Sequence, residues 1–198
     1  MDNEVWFRWL VWMDYRLALL FTVIIPLILL IWTFVQKAEA IQRLLMIYWR
    51  VSSLLAITLY LMIGNFGVGF ISGLMAKILI PTALWFWVDL NDEIDYQQSG
   101  PLKLTFTSWR WATTLYCILG ALGAIPFLGC AFSTEAIATP NCRVWFEPPL
   151  LFKQYFHSGS KPGFLGFIGI VGLIIYVLCL SYFVLFRLSK QGRSAVQE

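Results

Sequence analysis

Long apolar runs dominate the chain, and short polar stretches interrupt them at roughly regular intervals. A helix crosses a bilayer with about 20 predominantly apolar residues, within a range of roughly 17–25. Five stretches qualify: residues 17–35, 47–63, 68–88, 109–127 and 164–186. None of them contains Asp or Glu. Arg50 lies near the start of the second and Lys77 inside the third, while Arg110 counts with the charge flanking the fourth. Strands of a membrane barrel would instead alternate apolar and polar positions over segments of about 10 residues, a pattern absent here. The link Gly64-Asn65-Phe66-Gly67 makes the second and third spans a tight antiparallel hairpin. The pattern predicts an all-α polytopic membrane protein with one transmembrane domain over residues 1–198.

Two further elements read as interfacial. Before the first span, Trp6, Trp9 and Trp12 gather near one helical face, which predicts a short helix in the headgroup layer. Residues 128–163 form an extracytoplasmic lobe between the fourth and fifth spans. There Glu147-Pro148-Pro149 is a helix-start signal, followed by an apolar stripe of Leu151, Phe152, Tyr155 and Phe156. This stripe reads as a membrane-surface anchor or as a docking face, the anchor being preferred. Ala38-Glu39-Ala40 mimics a small-x-small cleavage site. The run before it is longer than a signal-peptide core and follows the acidic Asp2 and Glu4, so a retained span is expected.

Composition narrows the class. Of the 198 residues 60% are hydrophobic and 13% charged, against roughly 45–50% and about 25% in soluble domains. So much apolar surface cannot be hidden in a soluble body of this size, which excludes a soluble enzyme, a disordered chain and a nucleic-acid binder. The net charge of +3 implies no anionic partner. A single histidine, His157, cannot furnish a bis-histidine haem or a His-rich metal site, and no cofactor is expected.

The basic residues set an orientation. Lys37, Arg43, Arg50, Lys103, Arg110, Arg187, Lys190 and Arg193 fall on one side; Arg8, Arg16, Arg143, Lys153 and Lys161 fall on the other. The positive-inside rule places the richer side in the cytoplasm, so the C-terminus is expected inside and the N-terminus outside. Cys130 and Cys142 share the outer loop and suggest a disulfide, with two unpaired thiols as the alternative. Cys117 and Cys179 lie within spans and read as packing residues.

Gly163, Gly166, Gly169 and Gly172 recur every third residue in the fifth segment, and Gly69/Gly73 and Gly120/Gly123 add smaller pairs. Small residues let another backbone approach closely inside a membrane. The stripe serves packing among the chain's own helices or docking to another subunit.

Two clusters carry candidate chemistry. Lys77 sits inside its span with no carboxylate in any span to neutralise it, at a cost of about 2.5–3.5 kcal/mol on insertion scales. Pro81 frees its carbonyl, as Pro26 frees that of Thr22, and such broken helices line polar cavities. An anion, a lipid headgroup or a partner's carboxylate would supply the counter-charge; alternatively Lys77 snorkels outward. The second cluster is the acidic run from Asp89 to Asp95, where Asn91-Asp92-x-x-Asp95 echoes the motif with which membrane prenyltransferases hold Mg²⁺. Asp92 and Asp95 are thus weak metal candidates; a solvated loop or a patch for a basic partner is the preferred reading. His157-Ser158-Gly159-Ser160 reads as a flexible link rather than part of a triad.

Several segments resemble an uncharacterised family of cyanobacterial integral membrane proteins. They are Gln36-Lys37-Ala38-Glu39-Ala40-Ile41-Gln42-Arg43-Leu44-Leu45, Tyr48-Trp49-Arg50-Val51, Trp85-Phe86-Trp87-Val88-Asp89-Leu90-Asn91, Cys142-Arg143-Val144-Trp145-Phe146-Glu147-Pro148-Pro149 and Lys190-Gln191-Gly192-Arg193-Ser194. The resemblance implies a cyanobacterial membrane, thylakoid or plasma, and supplies no catalytic residue because the family is a domain of unknown function. The sequence expectation is a non-catalytic accessory, assembly or stabilising subunit of a larger membrane complex, a photosynthetic one being a candidate, with membrane lipids and other subunits as partners. A small transporter or lipid-binding protein built on Lys77 is the alternative, and a Mg²⁺-dependent lipid enzyme using Asp92 and Asp95 the second.

Overall fold

The computed structural model describes residues 5–188; Asp2, Glu4 and the segment from Lys190 to Ser194 lie outside the described residues. Every described element is helical. In chain order they are α1 (Arg8–Gln36), α2 (Glu39–Ile63), α3 (Val68–Trp85), α4 (Val88–Tyr96), α5 (Pro101–Ala124, continued by a 3-10 turn Ile125–Ala131), the short α6 (Thr134–Ala138) and α7 (Pro140–Arg143), α8 (Glu147–Phe156) and α9 (Pro162–Tyr182). Among them α1, α2, α3, α5 and α9 are long and apolar enough to cross a membrane.

The helices begin earlier than the apolar runs. The first starts at Arg8 rather than residue 17, the second at Glu39 rather than 47, and the fourth at Pro101 rather than 109. The separate interfacial helix expected around Trp6–Trp12 is therefore corrected: from Arg8 on it is the first turns of α1. No Pro or Gly breaks the chain between Arg8 and Leu17, so the helix runs through Asp14 and Arg16, the charges that ended the apolar pattern. The acidic run is likewise a helix, α4, and not a loop. Leu90 and Ile94, four residues apart, are fully buried, and this face docks α4 on α2.

Local chemistry explains how α1 bends without losing its place. Pro26 has no N–H to offer the carbonyl of Thr22. The helix loosens there into a π turn over Leu20–Ile24. The Tyr48 hydroxyl donates to the Thr22 carbonyl at 2.8 Å, and the Trp109 indole N–H donates to the Phe21 carbonyl at 2.8 Å. Carbonyls exposed at the bulge thus pin α1 to α2 and α5. Tyr48 and Trp109 belong to the main core, which gathers Ile41, Leu44, Leu90 and Phe106 at the end of the bundle remote from the lobe.

Arg110 is buried in the same region, nine residues inside α5, and is not flanking charge. Its guanidinium lies 4.0 Å from the centroid of the Trp85 ring and donates to the Asn91 side-chain carbonyl. The delocalised, weakly hydrated guanidinium tolerates such a stacked setting.

At the other end, Cys130 and Cys142 are joined by a disulfide with their Cα atoms 5.9 Å apart. With Met62, Phe70 and Phe146 they form a second buried cluster that seats the lobe on the α2–α3 turn. In that turn Asn65 adopts φ 57°, a left-handed conformation that Asn tolerates. Gly64 is crossed so closely by α9 that a Cβ there would stand 2.6 Å from the Gly166 Cα. Gly169 and Gly172 also face α2, at the backbone of Leu61 and the side chain of Ile57, whereas Gly163 has open space.

Gly166→Ala forces a Cβ to within 2.7 Å of the Gly64 backbone, so it is expected to cost about 1–3 kcal/mol as an overpacking change. Gly163→Ala should leave stability unchanged. Denaturation in detergent micelles compares them, and equal stability of the two variants would refute this helix contact.

Candidate functional site

Lys77 lies nine residues into α3, at the middle of the helix and roughly 14 Å from its start at ~1.5 Å per residue. Only 9% of the residue is exposed. Its ammonium donates to both carboxylate oxygens of Asp14, each at 3.0 Å, and approaches the Gly120 carbonyl at 3.4 Å. The Tyr116 hydroxyl donates to Asp14 Oδ1 at 3.0 Å. Three helices thus converge on one ion pair: α1 supplies the acid, α3 the base, and α5 the tyrosine and carbonyl.

Placement follows from spacing. Tyr116 and Gly120 are four residues apart and share one face of α5. Gly120 leaves room for the ammonium, since a Cβ there would lie 2.8 Å from Lys77 Nζ. Lys77 therefore neither snorkels nor waits for an external counter-charge. Its partner is internal, and the expectation of no carboxylate within a span is corrected by Asp14. The acid was missed because a span defined by apolarity ends where a charge begins. The signal that pointed to it was arithmetic: one unmatched Lys in one span, and one acid beside the start of another.

The ion pair faces a cavity of about 520 Å³ between α1, α2 and α3, with Tyr116 and Ala124 of α5 at its side. On α2 the lining runs over the fourteen residues from Trp49 to Met62, or about 20 Å of helix. Small residues create the space: Ala18, Ala56, Gly69 and Gly73 stand on its wall where larger side chains would fill it. Trp145, Pro148 and Phe152 line it at the lobe end. The walls are overwhelmingly apolar, with Asp14 and Lys77 as their charged groups. Its volume is within the ~300–1,000 Å³ of small-molecule sites.

The lobe is tied to α1 beside this cavity. Arg8 Nε donates to Glu147 at 2.9 Å and the Trp12 indole N–H donates to the same oxygen at 3.2 Å. His157 Nε2 lies 3.2 Å from the Tyr60 hydroxyl and fastens the end of α8 to α2.

The other candidates lie elsewhere. Asp92 and Asp95 are both exposed on α4, beyond the C-terminal end of α3 and away from the ion pair at its middle. Among the described residues no three His, Cys, Asp or Glu side chains come together to hold a metal. Cys117 is buried and Cys179 is exposed, each as a free thiol.

These features define a helical protein with five membrane-length helices, an ion pair closed between three of them and an apolar cavity at its side. The chain belongs to the family described as a protein of unknown function, DUF3177, which matches residues 8–196. No curated protein and no solved structure matches it.

Removing one member of a buried pair strands the other, at about 3–5 kcal/mol. Lys77→Met is expected to lower stability by that order, and Asp14→Leu added to it should restore most of the loss. Chemical denaturation in micelles measures this cycle; an undiminished stability of Lys77→Met would refute the pairing.

Proposed function

We propose that this protein binds an elongated lipid-class molecule within the membrane, in the cavity between α1, α2 and α3. The observation that carries the reading is the cavity itself: about 520 Å³ of mostly apolar space along about 20 Å of α2, beside a buried ion pair. Such an apolar pocket with a few convergent polar groups is the default form of a ligand site. In this reading the protein works by binding rather than by catalysis, and the lobe faces the extracytoplasmic side. The distribution of basic residues and the Cys130–Cys142 disulfide support that orientation.

A second reading, an accessory subunit of a larger membrane complex, is favoured by α9. That helix packs chiefly on α2 through its glycine face and leaves Phe167, Ile174, Ile175 and Leu178 exposed along the rest of its surface. Mild-detergent purification tests it: stoichiometric co-purification with a large complex supports this role, and a lone protein counts against it.

Gly73→Leu tests the binding reading. A Cβ at Gly73 meets Thr58 Cγ2 at 3.4 Å, an ordinary contact, so the longer side chain is expected to enter the cavity without disturbing the helix pair. The wild-type protein should carry a co-purifying lipid-class molecule, seen by native mass spectrometry, and Gly73→Leu should lose it while staying folded. Retention of the same molecule by Gly73→Leu would refute the site.

A further inference from the structure

We infer that the cavity selects an uncharged amphiphile whose head group donates a hydrogen bond to Asp14, a hydroxyl-bearing chain rather than an anion. The inference rests on the cavity reading above and concerns the chemistry of its ligand. A lone lysine in a membrane helix suggests an anion site, but here its capacity is spent. An ammonium has three donors; two point to Asp14 and the third to the Gly120 carbonyl. The Tyr116 proton is used on Asp14 as well.

Asp14 is not exhausted. A carboxylate offers about four lone-pair positions, and three are occupied, two on Oδ1 and one on Oδ2. The open side of the pair is also the acidic side: the Asp14 side chain is 27% exposed against 11% for Lys77. The hydroxyls along the wall agree. Ser52 and Ser53 donate to their own helix at the carbonyls of Trp49 and Arg50, so toward the cavity they act as acceptors, while Thr58 is spent within the wall on the Leu54 carbonyl and the Ser72 hydroxyl. The indole N–H groups of Trp49 and Trp145 are buried without a hydrogen-bond partner and are not open to the void, and Tyr15 can serve either role. A wall of acceptors beside a pair of zero net charge recognises a donor and repels an anion. Hydroxylated bilayer lipids and free long-chain alcohols share that chemistry.

The test uses the full-length protein in micelles and two brominated probes of equal chain length, a long-chain alcohol and the alkyl sulfonate. Bromine quenches nearby indole fluorescence, and Trp49 and Trp145 line the cavity. The alcohol is expected to bind about tenfold more tightly or better, a difference readily resolved by titration. Asp14→Asn removes the acid and leaves the ammonium its charge, so the preference should reverse toward the sulfonate. Tyr116→Phe frees another acceptor position on Asp14 and should keep or raise the preference for the alcohol. Equal or tighter binding of the sulfonate to the wild-type protein overturns the inference while leaving the cavity reading intact. A ratio unmoved by Asp14→Asn or lowered by Tyr116→Phe also overturns it. Quenching by neither probe overturns the cavity reading and this inference together. Should Asp14→Asn fail to fold, the wild-type ratio and Tyr116→Phe decide. Chemical analysis of the lipid extracted with the wild-type protein separates a bilayer lipid from a free alcohol.

Discussion

An ammonium group among apolar helices must find a counter-charge inside the protein or leave the apolar region. Lys77 finds one, and much of the lobe half of the bundle is arranged around that requirement. Asp14 reaches it only because α1 is already helical at Arg8, so the N-terminal turns enter the bundle instead of lying on its surface. Tyr116 and Gly120 must occupy one face of α5, and the second must be small. The contacts of Arg8 and Trp12 to Glu147, six and two residues before Asp14, hold the start of α1 on the lobe. Beside the ion pair, Ala18, Ala56, Gly69 and Gly73 leave space between α1, α2 and α3, and that space is the cavity.

The remote half of the bundle obeys a different constraint, the satisfaction of backbone groups that a helix cannot satisfy itself. Pro26 removes one donor from α1, and the π turn Leu20–Ile24 presents carbonyls outward. Tyr48 and Trp109 answer them. Both are large residues of the main core, so the defect in α1 becomes a pair of cross-links to α2 and α5. The helix is held at the bulge by hydrogen bonds and near its start by charge, with the cavity along the intervening stretch.

Sequence patterns revealed the fold unevenly, for a physical reason. Continuous apolarity is a strong signal, and it located the five membrane-length helices. Three-residue glycine spacing was readable as a contact face, and Gly166 and Gly169 do meet α2 backbone closely. The Pro26 argument pointed to the carbonyl of Thr22, which Tyr48 satisfies. Apolarity is a poor guide to helix ends, because amphipathic turns extend beyond the apolar stretch. That is why α1 and α5 begin earlier than the hydrophobic pattern does, and why Asp14 and Arg110 were assigned to flanks. The helix of Asp89–Asp95 was hidden for a related reason: two buried positions, Leu90 and Ile94, outweigh its acidic face. The candidate site was half legible. Lys77 stands out by itself in the sequence, but its partner is a matter of tertiary placement.

A buried ion pair is a weak device for stability, since well-packed apolar residues of similar volume hold a protein together as well or better. Its presence here therefore calls for a role that apolar packing could not fill. A pair serving structure alone would be best enclosed on every side, with both partners equally withdrawn from the cavity. Instead the pair is lopsided: Lys77 is saturated and covered, while Asp14 keeps an unused acceptor position and the greater exposure. In an apolar cavity one such group can orient a bound chain, because a donor has few other places to go and mispairing there is costly. Lys77 then does indirect work. It holds the Asp14 carboxylate in place through two hydrogen bonds, and so fixes the position of the remaining acceptor at the cavity wall.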